Sequence, residues 1–180
     1  VYLPLMVLPL FAAIDRFDTW ADGQLERLRG TPAVDTLFQA ASHLGDFALI
    51  WHLTGAARGL RGERQAAQAV RLSLLLGVES LVVNQGLKRL FRRTRPTPSG
   101  DDRYNLRTPS TSSFPSGHAS AACFAASYLT RRSPSGAPIW WTMAAIVALS
   151  RPYTRIHHAS DIVGGALVGL ALARLVELTE

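Results

Sequence analysis

Apolar and polar residues fall in blocks along this chain rather than alternating one by one. Residues 1–14 are apolar and include Pro4 and Pro9. That run is too short to cross a bilayer alone, which takes about 20 residues, and it reads as the end of a transmembrane helix. Residues 15–29 are polar, with Phe17, Trp20, Leu25 and Leu28 set among charges, the pattern of an amphipathic helix at a membrane interface. Residues 33–57 form a long, mostly apolar run that carries His43, Asp46 and His52. After a basic loop at 58–64, residues 66–87 are apolar again, with Arg71 near the start and Glu79 in the middle. A long polar stretch at 88–113 is rich in Arg, Pro, Ser and Thr. Three shorter apolar runs follow, at 114–129, 139–149 and 162–176. The second begins with Trp140 and Trp141, where aromatic belts sit. The third carries Gly164, Gly165, Ala166 and Gly169, small residues suited to close helix packing.

No sustained two-residue alternation marks strands. The pattern predicts an all-α integral membrane bundle of about six helices, with the interfacial amphipathic helix near the N-terminus. With no repeat and no linker, residues 1–180 read as a single membrane-embedded domain. Several runs are short for spans, and each is expected to continue into the polar motif beside it, because those residues face protein rather than lipid. A signal peptide is the competing reading of the first run, but it has no basic leader region and no small-residue cleavage site.

Charge sharpens this picture. Lys and Arg number 19 against 13 Asp and Glu, a net charge of +6. That balance suits nucleic acid, anionic lipid or a phosphorylated substrate. The basic residues interrupt apolar runs instead of forming a strip with interleaved aromatics, which argues against nucleic acid. One cysteine, Cys123, excludes an intrachain disulfide and reads as a small buried residue.

Three polar clusters carry candidate chemistry. His157 and Asp161 lie four positions apart, on one face if the segment is helical. A carboxylate on one imidazole nitrogen fixes the tautomer and frees the other as nucleophile or base. Pro115-Ser116-Gly117-His118 precedes an apolar run, so backbone N–H groups at a helix start can cradle an anion, with His118 beside them as a proton donor. The run Lys88-Arg89-Leu90-Phe91-Arg92-Arg93-Thr94-Arg95-Pro96 and Arg151 supply cations for the oxygens of a transferring phosphoryl group. Each cluster alone also has an ordinary structural reading: a helix-face pair, a helix cap, a basic loop facing head groups. That last reading suits Arg89, Arg92 or Arg93.

Taken together the clusters read Lys, six residues, Arg-Pro; then Pro-Ser-Gly-His; then Ser-Arg, five residues, His, three residues, Asp. This closely resembles the signature of the type 2 phosphatidic acid phosphatase superfamily, which includes vanadium haloperoxidases, over residues 81–176. The resemblance implies a phosphohistidine on His157, orientation by Asp161, and His118 as general acid. It implies phosphate binding by Lys88, Arg95, Arg151, Ser116 and the Gly117 backbone. It implies no metal or cofactor, and a lipid phosphate as substrate: a polyprenyl phosphate or diphosphate, a prenyl-linked sugar phosphate, phosphatidic acid or phosphatidylglycerol phosphate. The alternatives are a haloperoxidase-like protein, which resembles much larger soluble chains, and a non-catalytic binder of lipid phosphate. His158 stands where many relatives carry an aromatic residue and is expected to fill space, and Arg155 reads as an exposed loop arginine.

Crossing parity gives a further expectation. Lys88, His118, Arg151 and Asp161 all fall on one membrane face of an up-and-down bundle, opposite the 58–64 loop and the Arg131–Arg132 turn. The positive-inside rule puts those turns in the cytoplasm and the motifs outside the plasma membrane of a bacterium. His43, Asp46 and Glu79 are expected to face the bundle, with Asp46 or Glu79 pairing with Arg71 or His43.

Overall fold

The structure is a computed structural model that describes residues 3–97, 101–104, 106 and 109–179, with side chains from Pro9 onward. Part of the polar stretch, including Arg107, lies outside the described residues. Among the described residues every regular element is helical. Helix α1 (Leu3–Glu26) runs straight through Pro9, so the first apolar run and the amphipathic stretch after it are one helix. Helix α2 (Pro32–Gly45) opens with Pro32, whose missing N–H costs nothing at a helix start. Helix α3 is Leu49–Gly59. Helix α4 (Glu63–Ser80) continues through a π-helical stretch, Leu81–Leu87, into a last turn, Lys88–Leu90. Helices α5 (Gly117–Arg132), α6 (Ala137–Tyr153) and α7 (Ala159–Glu177) complete the bundle.

One expectation changes. Residues 33–57 are not a continuous helix: α2 stops at Gly45, and Phe47 and Ala48 both take left-handed backbone conformations, with φ of 51° and 58°. Counted as one interrupted run, α2 and α3 give six helical spans.

Helix α5 sits at the centre and packs most extensively against α7 and α6. Its buried face is made of small residues, among them Ala119, Ser120, Ala122, Ala125 and Ala126, with Phe124 and Leu129. The approach of α7 is closer still. A Cβ on Gly165 would lie 2.3 Å from the Ser116 carbonyl oxygen, and one on Gly169 would lie 2.1 Å from that of Ser120. Only glycine permits this backbone-to-backbone crossing. Larger apolar side chains point outward instead. Leu74, Val78, Leu81, Leu167, Leu170 and Leu175 are exposed around the bundle. Among the described residues two helical runs, Glu63–Leu90 and Ala159–Glu177, are long and apolar enough to cross a membrane. Small residues inside and leucines on the perimeter are the arrangement expected where lipid, not water, surrounds the helices.

At the end of the bundle that carries the motifs, charged groups tie α1 to the rest. The buried Arg29 guanidinium donates to the Tyr153 carbonyl (2.7 Å) and the Pro152 carbonyl (2.9 Å) and pairs with Asp22 and Glu26. Arg29 therefore satisfies carbonyls at the C-terminal end of α6, where a cation is favoured.

Candidate active site

His157 lies in the turn between α6 and α7 and is 3% exposed. Arg155 takes a left-handed conformation (φ 55°), and the N–H groups of Ile156 and His157 both donate to the Arg151 carbonyl. The chain thus folds back on the end of α6 with Ile156 buried, which points His157 inward. Asp161 belongs to the first turn of α7. Its Oδ2 lies 3.4 Å from His157 Nδ1. The pair meets because the turn delivers His157 to the helix start, not because both residues share a helical face.

Asp161 is fully buried and held from several sides. Arg93 Nη1 donates to its Oδ1 at 2.6 Å, the His158 N–H donates to its Oδ2 at 2.9 Å, and the Ser113 hydroxyl donates to its Oδ2. Arg93 also pairs with Asp18 on α1 at 2.6 Å. The sequence reading assigned Arg93 to the lipid-facing loop and passed over Ser113. Nothing in their residue types distinguishes them from neighbouring Arg92 and Ser112.

The other nitrogen of His157, Nε2, lies 3.3 Å from Arg95 Nη1. Arg95 is fixed by the carbonyls of Pro109 (3.0 Å), Ile156 (2.8 Å) and Thr111 (3.1 Å). Burial depresses the pKa of Arg95, against the nearby Asp161 carboxylate. Lys88, Gly117, His118, Arg151 and His157 line one cavity of about 510 Å³, together with Asp46, His52, Glu79 and Asn84. Arg151 is 1% exposed. Its Nη1 donates to the Ser42 hydroxyl, while Nε and Nη2 are buried with no hydrogen-bond partner. Ser116 caps α5 by accepting from the Ala119 N–H at 3.4 Å, and its own N–H donates to the Asp161 carbonyl at 3.0 Å. The helix that begins at Gly117 is thereby locked to the start of α7, and a Cβ on Gly117 would press on the Asn84 amide.

Several other polar residues have partners that the sequence did not point to. Asp46 lies beside His118, and Glu79 accepts from the Ser120 hydroxyl. His43 is exposed rather than turned into the bundle. Arg155 is not a free loop arginine: it pairs with Asp22 and Glu26, each at 3.0 Å. The hydrogen bond to Asp22 raises its pKa. His158 fills a polar position, with Nε2 3.3 Å from the Thr94 carbonyl oxygen.

Among the described residues no group of three or more His, Cys, Asp or Glu is arranged to hold a metal ion. The chemistry available is that of a buried imidazole braced by a carboxylate, a second imidazole and two cations, Lys88 and Arg151, lining one cavity, with Arg95 against His157. Such a set can accept a phosphoryl group on nitrogen and spread its charge.

Comparison with known proteins agrees. The chain belongs to the PAP2 superfamily, whose sequence pattern it matches over residues 68–179. It is a phosphatase of that family, a metal-independent class of phosphoric ester hydrolase. It is 35% identical over 140 residues to a decaprenylphosphoryl-5-phosphoribose phosphatase of Mycolicibacterium smegmatis, covering 77% of this chain and 74% of that protein. It is 30% identical over 160 residues to phosphatidylglycerophosphatase B of Bacillus subtilis, covering 81% and 75% respectively. Its fold matches the crystal structure of a transmembrane PAP2-type phosphatidylglycerolphosphate phosphatase from Bacillus subtilis. The TM-score is 0.69 at 25% identity, over 99% of this chain and 96% of that one.

Proposed function

We propose that this chain removes phosphate from a membrane lipid through a phosphohistidine on His157, with residues 1–180 acting as one catalytic domain around a motif core at 81–176. His157 Nε2 attacks phosphorus. As the N–P bond forms, the P–O bond to the lipid breaks, and His118 gives its proton to the departing alkoxide. Water then attacks the phosphohistidine while His118 takes back a proton, and inorganic phosphate leaves. Lys88, Arg95 and Arg151 neutralise the non-bridging oxygens, helped by Ser116 and the backbone of Gly117. Asp161 holds His157 in the tautomer that presents Nε2.

Arg151 is the observation that carries this reading. A guanidinium buried with two nitrogens unpaired is costly unless an anion meets it. The cavity it enters is also lined by His157, His118 and Lys88.

The substrate is a phosphomonoester or diphosphate on a lipid. Similarity to the mycobacterial relative favours a polyprenyl-linked sugar phosphate, with phosphatidylglycerol phosphate next. The chain is assigned to a bacterial plasma membrane with the cavity on the extracytoplasmic side, because Arg58, Arg61, Arg64, Arg131 and Arg132 gather at the turns of the other end.

Phosphate release in detergent with EDTA tests the reading, using a panel of lipid phosphates and the wild type beside His157→Ala. Full activity in EDTA and a loss of at least about 10³-fold in the variant are expected. Activity surviving in His157→Ala, or abolished by EDTA, overturns it.

A further inference from the structure

His118 has its own carboxylate. Its Nε2 lies 3.3 Å from Asp46 Oδ1 and 3.1 Å from the Ser42 carbonyl oxygen. Both are acceptors, so Nε2 carries a hydrogen, and Nδ1 is the nitrogen left to exchange a proton with a phosphoester oxygen. The backbone is bent to make this contact. Helix α2 ends at Gly45, Asp46 is extended, and two successive non-glycine residues, Phe47 and Ala48, are left-handed before α3 begins. A left-handed non-glycine residue is strained and persists only where its surroundings fix it. Here the surroundings include the imidazole itself: a Cβ on Gly45 would lie 2.4 Å from His118 Cδ2 and 3.0 Å from Nε2. The same last turn of α2 also supplies Ser42, whose hydroxyl accepts from Arg151.

We infer that Asp46 is a positioning residue for His118, completing a second carboxylate–imidazole pair that mirrors Asp161–His157. The two pairs use opposite nitrogens. Asp161 engages Nδ1 of His157 and leaves Nε2 to attack, whereas Asp46 engages Nε2 of His118 and leaves Nδ1 to protonate the leaving oxygen. Asp46 stabilises the imidazolium from which that proton departs. This rests on the proposed acid role of His118 and adds the group that sustains it.

Leaving-group dependence tests the inference. A lipid alkoxide needs protonation as it departs and a p-nitrophenolate does not, and kcat/KM reports every step up to that departure. In His118→Ala, kcat/KM for a lipid phosphate is expected to fall about 10²- to 10⁴-fold, and for p-nitrophenyl phosphate less than about tenfold. Asp46→Asn is expected to show the same selective loss, roughly tenfold to a hundredfold on the lipid and under about threefold on the aryl ester. Asp46→Glu, which keeps the charge, should recover part of the lipid activity. Asp46→Ser carries the same expectation as Asp46→Asn, so the test does not depend on one variant folding. Selectivity in His118→Ala but equal loss on both substrates in the Asp46 variants, or no loss, overturns the inference and leaves the proposed function standing. No selectivity in His118→Ala overturns the acid role itself.

Discussion

At His157 two effects oppose each other. Burial disfavours the imidazolium, the Asp161 hydrogen bond favours it, and burial wins, so the pKa falls from 6.5 to about 3. A base whose folded pKa lies below its free value resists protonation in the folded state. Its contribution to stability is therefore full above about pH 6.5 and is lost as pH falls towards 3. Loss of kcat/KM between about pH 4 and 6 should therefore not come from protonation of His157. A titration of this imidazole followed by NMR, with a midpoint near 6, would contradict this. The supports of Asp161 permit a second prediction. Arg93→Ala removes charge-assisted bonds to Asp161 and to Asp18 without touching the cavity. Bonds of this kind contribute about 1.5–3 kcal/mol each. Activity in Arg93→Ala is expected to fall roughly tenfold to a hundredfold, less than in Asp161→Ala, with both measured on the same lipid phosphate. The eight residues proposed for the site could be singled out because their types suit phosphoryl chemistry and their combined spacing resembles the superfamily signature. Arg93, Ser113 and Asp46 were not, because an arginine, a serine and an aspartate in polar or interrupted stretches look the same whether they brace a neighbour or face solvent.

Between helices, the small-residue face of α7 was readable as a packing surface, but its partner was not. The structure supplies it: the carbonyls of Ser116 and Ser120 on α5. Gly169→Ala is therefore expected to force α5 and α7 apart and to lower stability by at least about 1–3 kcal/mol, seen as a lower thermal midpoint in detergent. Gly77→Ala on α4 meets nothing within 4 Å and should be neutral or stabilising by up to about 1 kcal/mol. A fall of similar size in both would refute the backbone contact as the cause. The break between α2 and α3 was hidden for a different reason. Gly45-Asp46 is a turn signal, but it sits inside an apolar run whose length argues for a single span. In the structure the break lies against His118, a tertiary contact that composition does not record.

For the whole molecule, crossing parity alone places the motifs at one end of the bundle, since segments that run up and down return to the same face at every second turn. The apolar perimeter and the arginine-bearing turns at the far end fit an extracytoplasmic cavity. A cysteine in place of Arg103, an exposed residue of the loop beside the cavity, should react in intact cells with a thiol reagent that cannot cross membranes. A cysteine in place of Arg61, on the turn between α3 and α4, should react only after permeabilisation. The native Cys123 is buried and should stay silent. The reverse labelling pattern would invert the orientation. One feature of α4 bears on how such a bundle tolerates change in its gene. The π-helical stretch Leu81–Leu87 holds one more residue per turn than the helix on either side would, and it ends where Lys88 enters the cavity. Removing a single codon within it leaves the Lys88-to-Arg95 spacing intact and lets the helix rewind. Because the stretch absorbs the extra residue locally, the lysine then keeps roughly its direction, whereas a codon removed from the regular part of α4 turns it by about 100°. Two in-frame deletions that leave every motif spacing intact are therefore expected to differ: the one inside the π-helical stretch is tolerated, and the one in the regular helix before it silences the enzyme.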